Sequence, residues 1–186
     1  MRTVAADDPS AWDEAARLLL GGAVVVIPTD TLYGLAALPD RTDALFEIKG
    51  RDRSVPIAVL VADLGQADEL VVFNPDERRL AERHWPGALT IVATARDGPG
   101  LDIGGDGHTL GVRCPADARL RALLARVGPL AVTSANRTGA PALTDAAAIA
   151  SLTGPALIVD DGELLGPAST VVRDGIVLRD GPVVLE

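Results

Sequence analysis

Apolar residues in this chain fall into two kinds of pattern. Short unbroken runs, AVVVI at 23–27, IAVLV at 57–61, ALTIVAT at 88–94 and PLAVTSA at 129–135, have the length and branching of strands buried on both faces. Between them lie stretches with helical spacing. Ser10 is placed to cap a helix running to Leu20, with Trp12, Ala15, Ala16 and Leu19 on one face and Gly21-Gly22 as its stop. Thr42 opens a short helix closed by Gly50. Asn74-Pro75-Asp76-Glu77 combines cap, first-turn proline and acids, and predicts a helix to His84. Residues 117–127 read as an amphipathic helix, and Thr144 is placed to cap another ending near Leu152. TLGVR (109–113) reads as a strand, and STVVR and IVLR (169–179) as a hairpin turning at Asp174-Gly175.

Strands alternate with helices early and a hairpin comes late, which predicts an α/β (α+β-like) fold. Its expected form is a twisted mixed parallel/antiparallel sheet with flanking helices. At 186 residues, with glycines and prolines scattered rather than gathered into a linker, residues 1–186 are expected to form a single domain.

Composition narrows the function. Seventeen basic against 26 acidic side chains leave a net charge of −9, which disfavours a broad nucleic-acid-binding face and makes tRNA contact by the isolated chain weak or absent. The single Cys114 excludes an internal disulfide, and two histidines, His84 and His108, give a zinc centre little to work with; no metal ligands are assigned. The acidic N-terminal stretch lacks the form of a signal peptide, and no apolar run reaches the ~20 residues of a membrane span, so a cytoplasmic location is expected.

Candidate chemistry gathers where apolar runs end. PTDTLYGL (28–35) places Thr29, Asp30, Thr31 and the only tyrosine directly after a buried strand. Lys49 is the only lysine among the 17 basic residues, in EIKGRDR; it suits either an anion ligand wanting a point charge or a helix C-terminus. Arg51 adds a fork of donors. Ser134 and Asn136 in AVTSANRTG stand where open sheets bind ligands, or in a self-capping turn. Ser169 opens a strand, and Arg113 and Arg179 leave strands, facing either a ligand or an internal carboxylate. Cys114 reads as a core residue and His84-Trp85 as a helix stop. The glycine-rich stretch 97–108 matches no phosphate-binding loop and reads as a mobile surface loop. With no nucleophile elbow, metal cage or carboxylate pair, the polar set suits an enzyme that positions anions and neutralises charge.

The ordered series PTDTLYGL, KGR, HWPGALT, GVRCP, TSANRTG, STVV and LRDG resembles the YrdC family of threonylcarbamoyl-adenylate synthases, from about Val24 to Gly181. The resemblance implies the YrdC/RibB-like fold and a nucleotidyltransferase that joins L-threonine, bicarbonate and ATP. Its products would be threonylcarbamoyl-AMP and pyrophosphate, with Mg²⁺ accompanying the nucleotide. The adenylate would pass to downstream tRNA threonylcarbamoyltransferase proteins for modification next to the anticodon. By the same resemblance Lys49 and Arg51 are the catalytic basic pair and ATP contacts. Thr29, Thr31, Arg113, Ser134 and Ser169 would bind threonine, and Thr109, Asn136, Thr144 and Arg179 would bind ATP. The chain ends after the synthase region, like the short single-domain type. Two positions depart from the family pattern: Asp52 replaces the usual proline after Lys-x-Arg, with Arg53 placed to offset it, and Leu60 stands near a pocket histidine of longer relatives. A non-catalytic RNA-binding module on the same fold is the alternative function.

Overall fold

A computed structural model describes residues 1–98 and 100–185. In chain order the elements are β1 (Arg2–Ala5), α1 (Pro9–Leu20), β2 (Val25–Ile27), β3 (Gly34–Ala37), α2 (Asp43–Lys49) and β4 (Ala58–Leu60). Next come α3 (Leu64–Asp68), β5 (Val71–Val72), α4 (Pro75–His84), β6 (Leu89–Ala95), β7 (Thr109–Arg113) and α5 (Ala118–Val127). The chain continues through β8 (Leu130–Ser134), α6 (Ala146–Ile149), β9 (Leu157–Asp160), β10 (Thr170–Arg173) and β11 (Ile176–Arg179). All the strands join one sheet in the order β1-β9-β2-β3-β8-β4-β7-β6-β10-β11, with β5 beside β6. Pairing is mixed: β9 is parallel to β1 and β2, β4 to β7 and β6 to β10, while β3, β8 and β11 run antiparallel to their neighbours. The expected α/β architecture is therefore present.

Several local expectations need correction. Asp8, not Ser10, caps α1, accepting from the Ser10 amide at 2.9 Å; a carboxylate two residues earlier takes the role because Pro9 fits the first helical position. Thr42 does open α2 and Gly50 closes it, as expected, although the Thr42 hydroxyl donates to the Asp102 carbonyl rather than capping the helix. Asp145 rather than Thr144 caps α6, which is a single turn. The glycine-rich stretch is held rather than loose: Asp102 and Gly105 donate their amides to the Pro39 and Arg53 carbonyls, and the Ile103 carbonyl accepts from Ile57. Arg53 grips it further through Asp102 at 2.7 Å. Pro99 lies outside the described residues. The capping box at Asn74–Glu77 and the Asp174-Gly175 hairpin, with φ of 50° and 75°, form as expected.

The period-two alternation of strand side chains decides where the site falls. On one face Val59, Ile91, Leu110, Val112, Ala131 and Val172 are buried together with residues of α2, α4 and α6. On the other, Val25, Ile27, Ala36, Leu130 and Leu157 are covered by α1 and α5. Each fully buried aliphatic side chain contributes about 1.5–3 kcal/mol. That cluster reaches β4 at Leu60 and includes no residue of β7, β6 or β10, whose second face, with Ala58 of β4, instead walls a cavity. Gly34 keeps β3 close to β8 there: a Cβ at this position would stand 2.4 Å from Val132 Cγ1. Gly34→Ala is therefore expected to destabilise the fold by about 1–3 kcal/mol through overpacking, read as a lowered urea midpoint; an unchanged midpoint would contradict this close approach.

Candidate active site

The cavity has a volume of about 440 Å³, within the ~300–1,000 Å³ of small-molecule sites. Its floor is the alternate set of strand residues. Leu60 pairs in register with Arg113, Val92 with Gly111, and Ala58 with Val132. One row across the floor is thus small and apolar, while the neighbouring positions Thr90 and Arg113 are polar. The loop 28–33 joining β2 to β3 supplies Thr29 and Thr31 to the wall; Arg51, Thr109, Ser134, Ser169, Arg173 and Arg179 complete its polar part.

Arg113 is buried and spends three of its five donors inside the protein. Nε donates to Gly87 O at 3.0 Å, Nη1 to Thr31 Oγ1 at 3.0 Å, and Nη2 to Asp30 Oδ1 at 2.6 Å. Two N–H groups remain for a ligand. Thr29 organises the loop: its hydroxyl donates to Leu32 O at 2.7 Å and accepts from the amides of Thr31 and Leu32, both at 3.1 Å. Since the one Thr29 proton goes to Leu32 O, the Thr31 hydroxyl, 3.0 Å away, is the donor between the two oxygens, and it accepts from Arg113 on its other side.

Across the cavity Ser169 is buried, with Thr90 Oγ1 at 2.8 Å from its hydroxyl. Arg179 holds it through bonds to its carbonyl at 3.0 and 2.8 Å and to its hydroxyl at 3.0 Å. The return of the chain is tight enough that a Cβ on Gly181 would meet Thr170 N at 2.3 Å. Arg51 donates to the carbonyls of Val55 at 2.9 Å and Pro56 at 2.7 Å. Among the described residues neither Arg51 nor Arg179 meets a carboxylate. Burial pushes both guanidinium groups below their ordinary pKa, and Arg113 and Arg51 add repulsion at Arg179. Positive charge therefore converges, uncompensated, in a chain of net charge −9, which is the electrostatics of an anion site.

Lys49 stands behind this wall rather than on it. Its ammonium is buried and donates to Ser134 O at 2.6 Å, Ser134 Oγ at 2.9 Å and Asn136 Oδ1, so all three donors are engaged. Ser134 in turn donates to Asn136 Oδ1 at 2.7 Å, and Asn136 to the Ala140 carbonyl. The structure thus gathers Thr29, Thr31, Arg51, Thr109, Arg113, Ser134, Ser169 and Arg179 around one cavity, with Lys49 and Asn136 supporting Ser134 from behind. Thr144 is not on the wall; its carbonyl accepts from Leu164 N at 2.8 Å.

Other expectations resolve locally. Asp52 turns back to accept from the Ser54 amide at 2.7 Å, which holds its carboxyl below the usual range, and it does not line the cavity. Arg53, expected to offset it, pairs with Asp43 and Asp102. Leu60 does line the cavity, beside Arg113. Tyr33 contributes to the wall while its hydroxyl is spent on Gly162 O at 2.8 Å and the Asp161 amide at 2.8 Å, and burial pushes its pKa up to about 12. Cys114 is a core residue whose thiol is raised to about 11 by burial. The residues missed in the sequence are Thr90 and Arg173. Both were marked by alternation, Thr90 two before Val92 and Arg173 two after Val171.

With this geometry in view, the comparisons with known proteins are direct. The profile Sua5_yciO_yrdC, described as "Telomere recombination", matches residues 17–184. The chain belongs to the Sua5/YciO/YrdC family. It is 36% identical over 182 residues to a putative threonylcarbamoyl-AMP synthase of Mycobacterium leprae, covering 91% of this chain and 82% of that one. It superposes on a Sua5 variant from P. abyssi with a TM-score of 0.88 at 30% identity, over 97% of this chain and 57% of the other. P. abyssi Sua5 complexed with L-threonine gives 0.83 at 32% identity, over 90% and 53%. The chain therefore spans little more than half of these solved relatives. Among the described residues no helix is long and apolar enough to cross a membrane.

Because Lys49 is the only lysine, its titration is directly readable by NMR of its side chain. Burial, with a smaller push from Arg51, lowers its pKa from 10.5 to about 8. Below pH 8 the folded and unfolded chains both hold this proton; between about 8 and 10.5 only the unfolded chain does, so this group makes stability rise with pH across that window. A midpoint near 8 is expected, and one near 10.5 would contradict the buried placement.

Proposed function

We propose that this chain makes L-threonylcarbamoyl-AMP from L-threonine, bicarbonate and ATP, releasing pyrophosphate, for the threonylcarbamoyladenosine modification of tRNA. The observation that carries this reading is one cavity in which a hydroxyl-rich corner around Arg113 adjoins two carboxylate-free arginines, Arg51 and Arg179. Its support from relatives is the family membership and the L-threonine complex of P. abyssi Sua5.

In this reading the two spare N–H groups of Arg113 hold the threonine carboxylate, and the hydroxyls of Thr31 and Ser169 orient its polar atoms. The amine captures bicarbonate-derived CO₂ as a carbamate. One carbamate oxygen attacks the α-phosphorus of ATP, and the bond from that phosphorus to the bridging oxygen of pyrophosphate breaks. Negative charge grows on the phosphoryl oxygens and the leaving group, so fixed cations and hydroxyl donors are the useful catalysts. Arg51 and Arg179 fill that role, with Thr109 as a further ATP contact. Lys49 and Asn136 act on the site through the Ser134 they brace, and Thr144 lies outside the cavity. Among the described residues the cavity wall carries no carboxylate, so Mg²⁺ would arrive on the phosphates of the nucleotide and would supply charge neutralisation there. The adenylate then passes to downstream transferase proteins, with the isolated chain adding little tRNA contact of its own.

Incubation with ATP, Mg²⁺, bicarbonate and L-threonine should release pyrophosphate only when threonine is present; release that ignores threonine would overturn the assignment. Arg51→Ala should lower turnover by about 10–100-fold, the worth of one to two charge-assisted hydrogen bonds at ~1.5–3 kcal/mol, with the fold intact. A wild-type rate would remove Arg51 from the mechanism.

A further inference from the structure

Arg173 is the one arginine of the cavity wall that no expected role covers. It leaves β10 two residues after Val171 on the cavity face, and Leu178 of β11 lines the wall with it. Its side chain is about half exposed, its one ion pair among the described residues is to Asp174, 3.7 Å from Nε, and its charge also reaches the Asp106 carboxylate. The guanidinium therefore keeps its terminal donors unspent, unlike those of Arg113, Arg51 and Arg179.

Position separates it from those three. Arg179 feels the charges of Arg113 and Arg51, whereas Arg173 acts on Asp106, beyond the Thr109 end of β7. Parallel pairing of β10 with β6 places Val171 opposite Thr90 and Val172 opposite Ile91, so the next residue, Arg173, falls beside Val92. Val92 pairs with Gly111, and Ala58 with Val132. Arg173 thus stands at the β10 end of the small, apolar row of the floor, while Arg51, bonded to Val55 and Pro56, stands near its β4 end and Arg179 stands on Ser169. A row with glycine and alanine at its centre and valine side chains at its ends suits a planar ring, and a donor-only group beyond it suits ring-nitrogen acceptors.

Resting on the nucleotide-dependent reading above, we propose that Arg173 is a binding residue for the nucleobase of ATP: the purine lies on the Val92–Gly111–Ala58 row with its edge towards the guanidinium. The triphosphate then extends to Arg51 and Arg179. Arg173 contributes to base recognition and makes no phosphate contact.

Equilibrium binding of ATP and of inorganic tripolyphosphate separates the possibilities, using the full chain and its Arg173→Ala and Arg173→Gln variants. Arg173 has no hydrogen bond to lose, so unchanged circular dichroism and melting are expected. Arg173→Ala should weaken ATP about tenfold, the loss of one charge-assisted hydrogen bond, and leave tripolyphosphate within about twofold of wild type. Arg173→Gln, which keeps a neutral donor, should fall between. Equal weakening of both ligands would make Arg173 a phosphate contact and overturn the proposal, as would unchanged ATP binding. If wild type binds tripolyphosphate and ATP equally, the base contributes nothing and this inference alone fails. If it binds neither, the nucleotide-dependent reading itself falls.

Discussion

A single buried guanidinium holds the two halves of the site together. Arg113, at the end of β7, bonds the turn at Gly87, the hydroxyl of Thr31 and the carboxylate of Asp30, its partners lying up to 83 residues away in sequence. Removing one member of such a buried pair typically costs ~3–5 kcal/mol, because the other charge is left without compensation. The loop after β2 is therefore fixed over the sheet by the same group whose remaining donors face the cavity. The lining of the cavity and the placement of the loop depend on one side chain.

The rest follows from how the sheet is covered. Strand alternation gives every central strand one apolar face for the helices beneath and one face that must be either covered or used. α1 and α5 cover it over one half of the sheet, as far as Leu60 of β4, and leave β7, β6 and β10, with Ala58 of β4, open. There the alternate positions hold Gly111, Ala58 and Thr90 instead of large aliphatics, so the gap becomes a cavity rather than a packing defect. Four arginines come to its wall although acids outnumber bases over the chain. The acids spend themselves elsewhere: Asp8, Asp117 and Asp145 cap helices, and Asp43 and Asp102 engage Arg53.

Elements carried by local chemistry were legible in the sequence. The Asn74 capping box and the Asp174-Gly175 turn are written within a few residues, and both form. Caps chosen between adjacent candidates were less so, since Ser10 and Asp8, or Thr144 and Asp145, differ only in which oxygen reaches the amide. β1, β3 and β9 escaped notice because short strands such as GLAA declare themselves only once neighbours pair with them. In the site, the polar ends of the strands pointed to the right stretches. The inward turn of Lys49 onto Ser134, 85 residues on, and the pairing of Asp30 with Arg113 are tertiary facts with no local signature.

The central claim is that one cavity on the uncovered half of the sheet holds both an amino acid and a nucleotide. A crystal structure with L-threonine and a non-hydrolysable ATP analogue tests it most directly. The threonine carboxylate is expected on Arg113 beside Thr31 and Ser169, with the phosphates on Arg51 and Arg179 in the same cavity. A nucleotide bound elsewhere, or threonine away from Arg113, would contradict it.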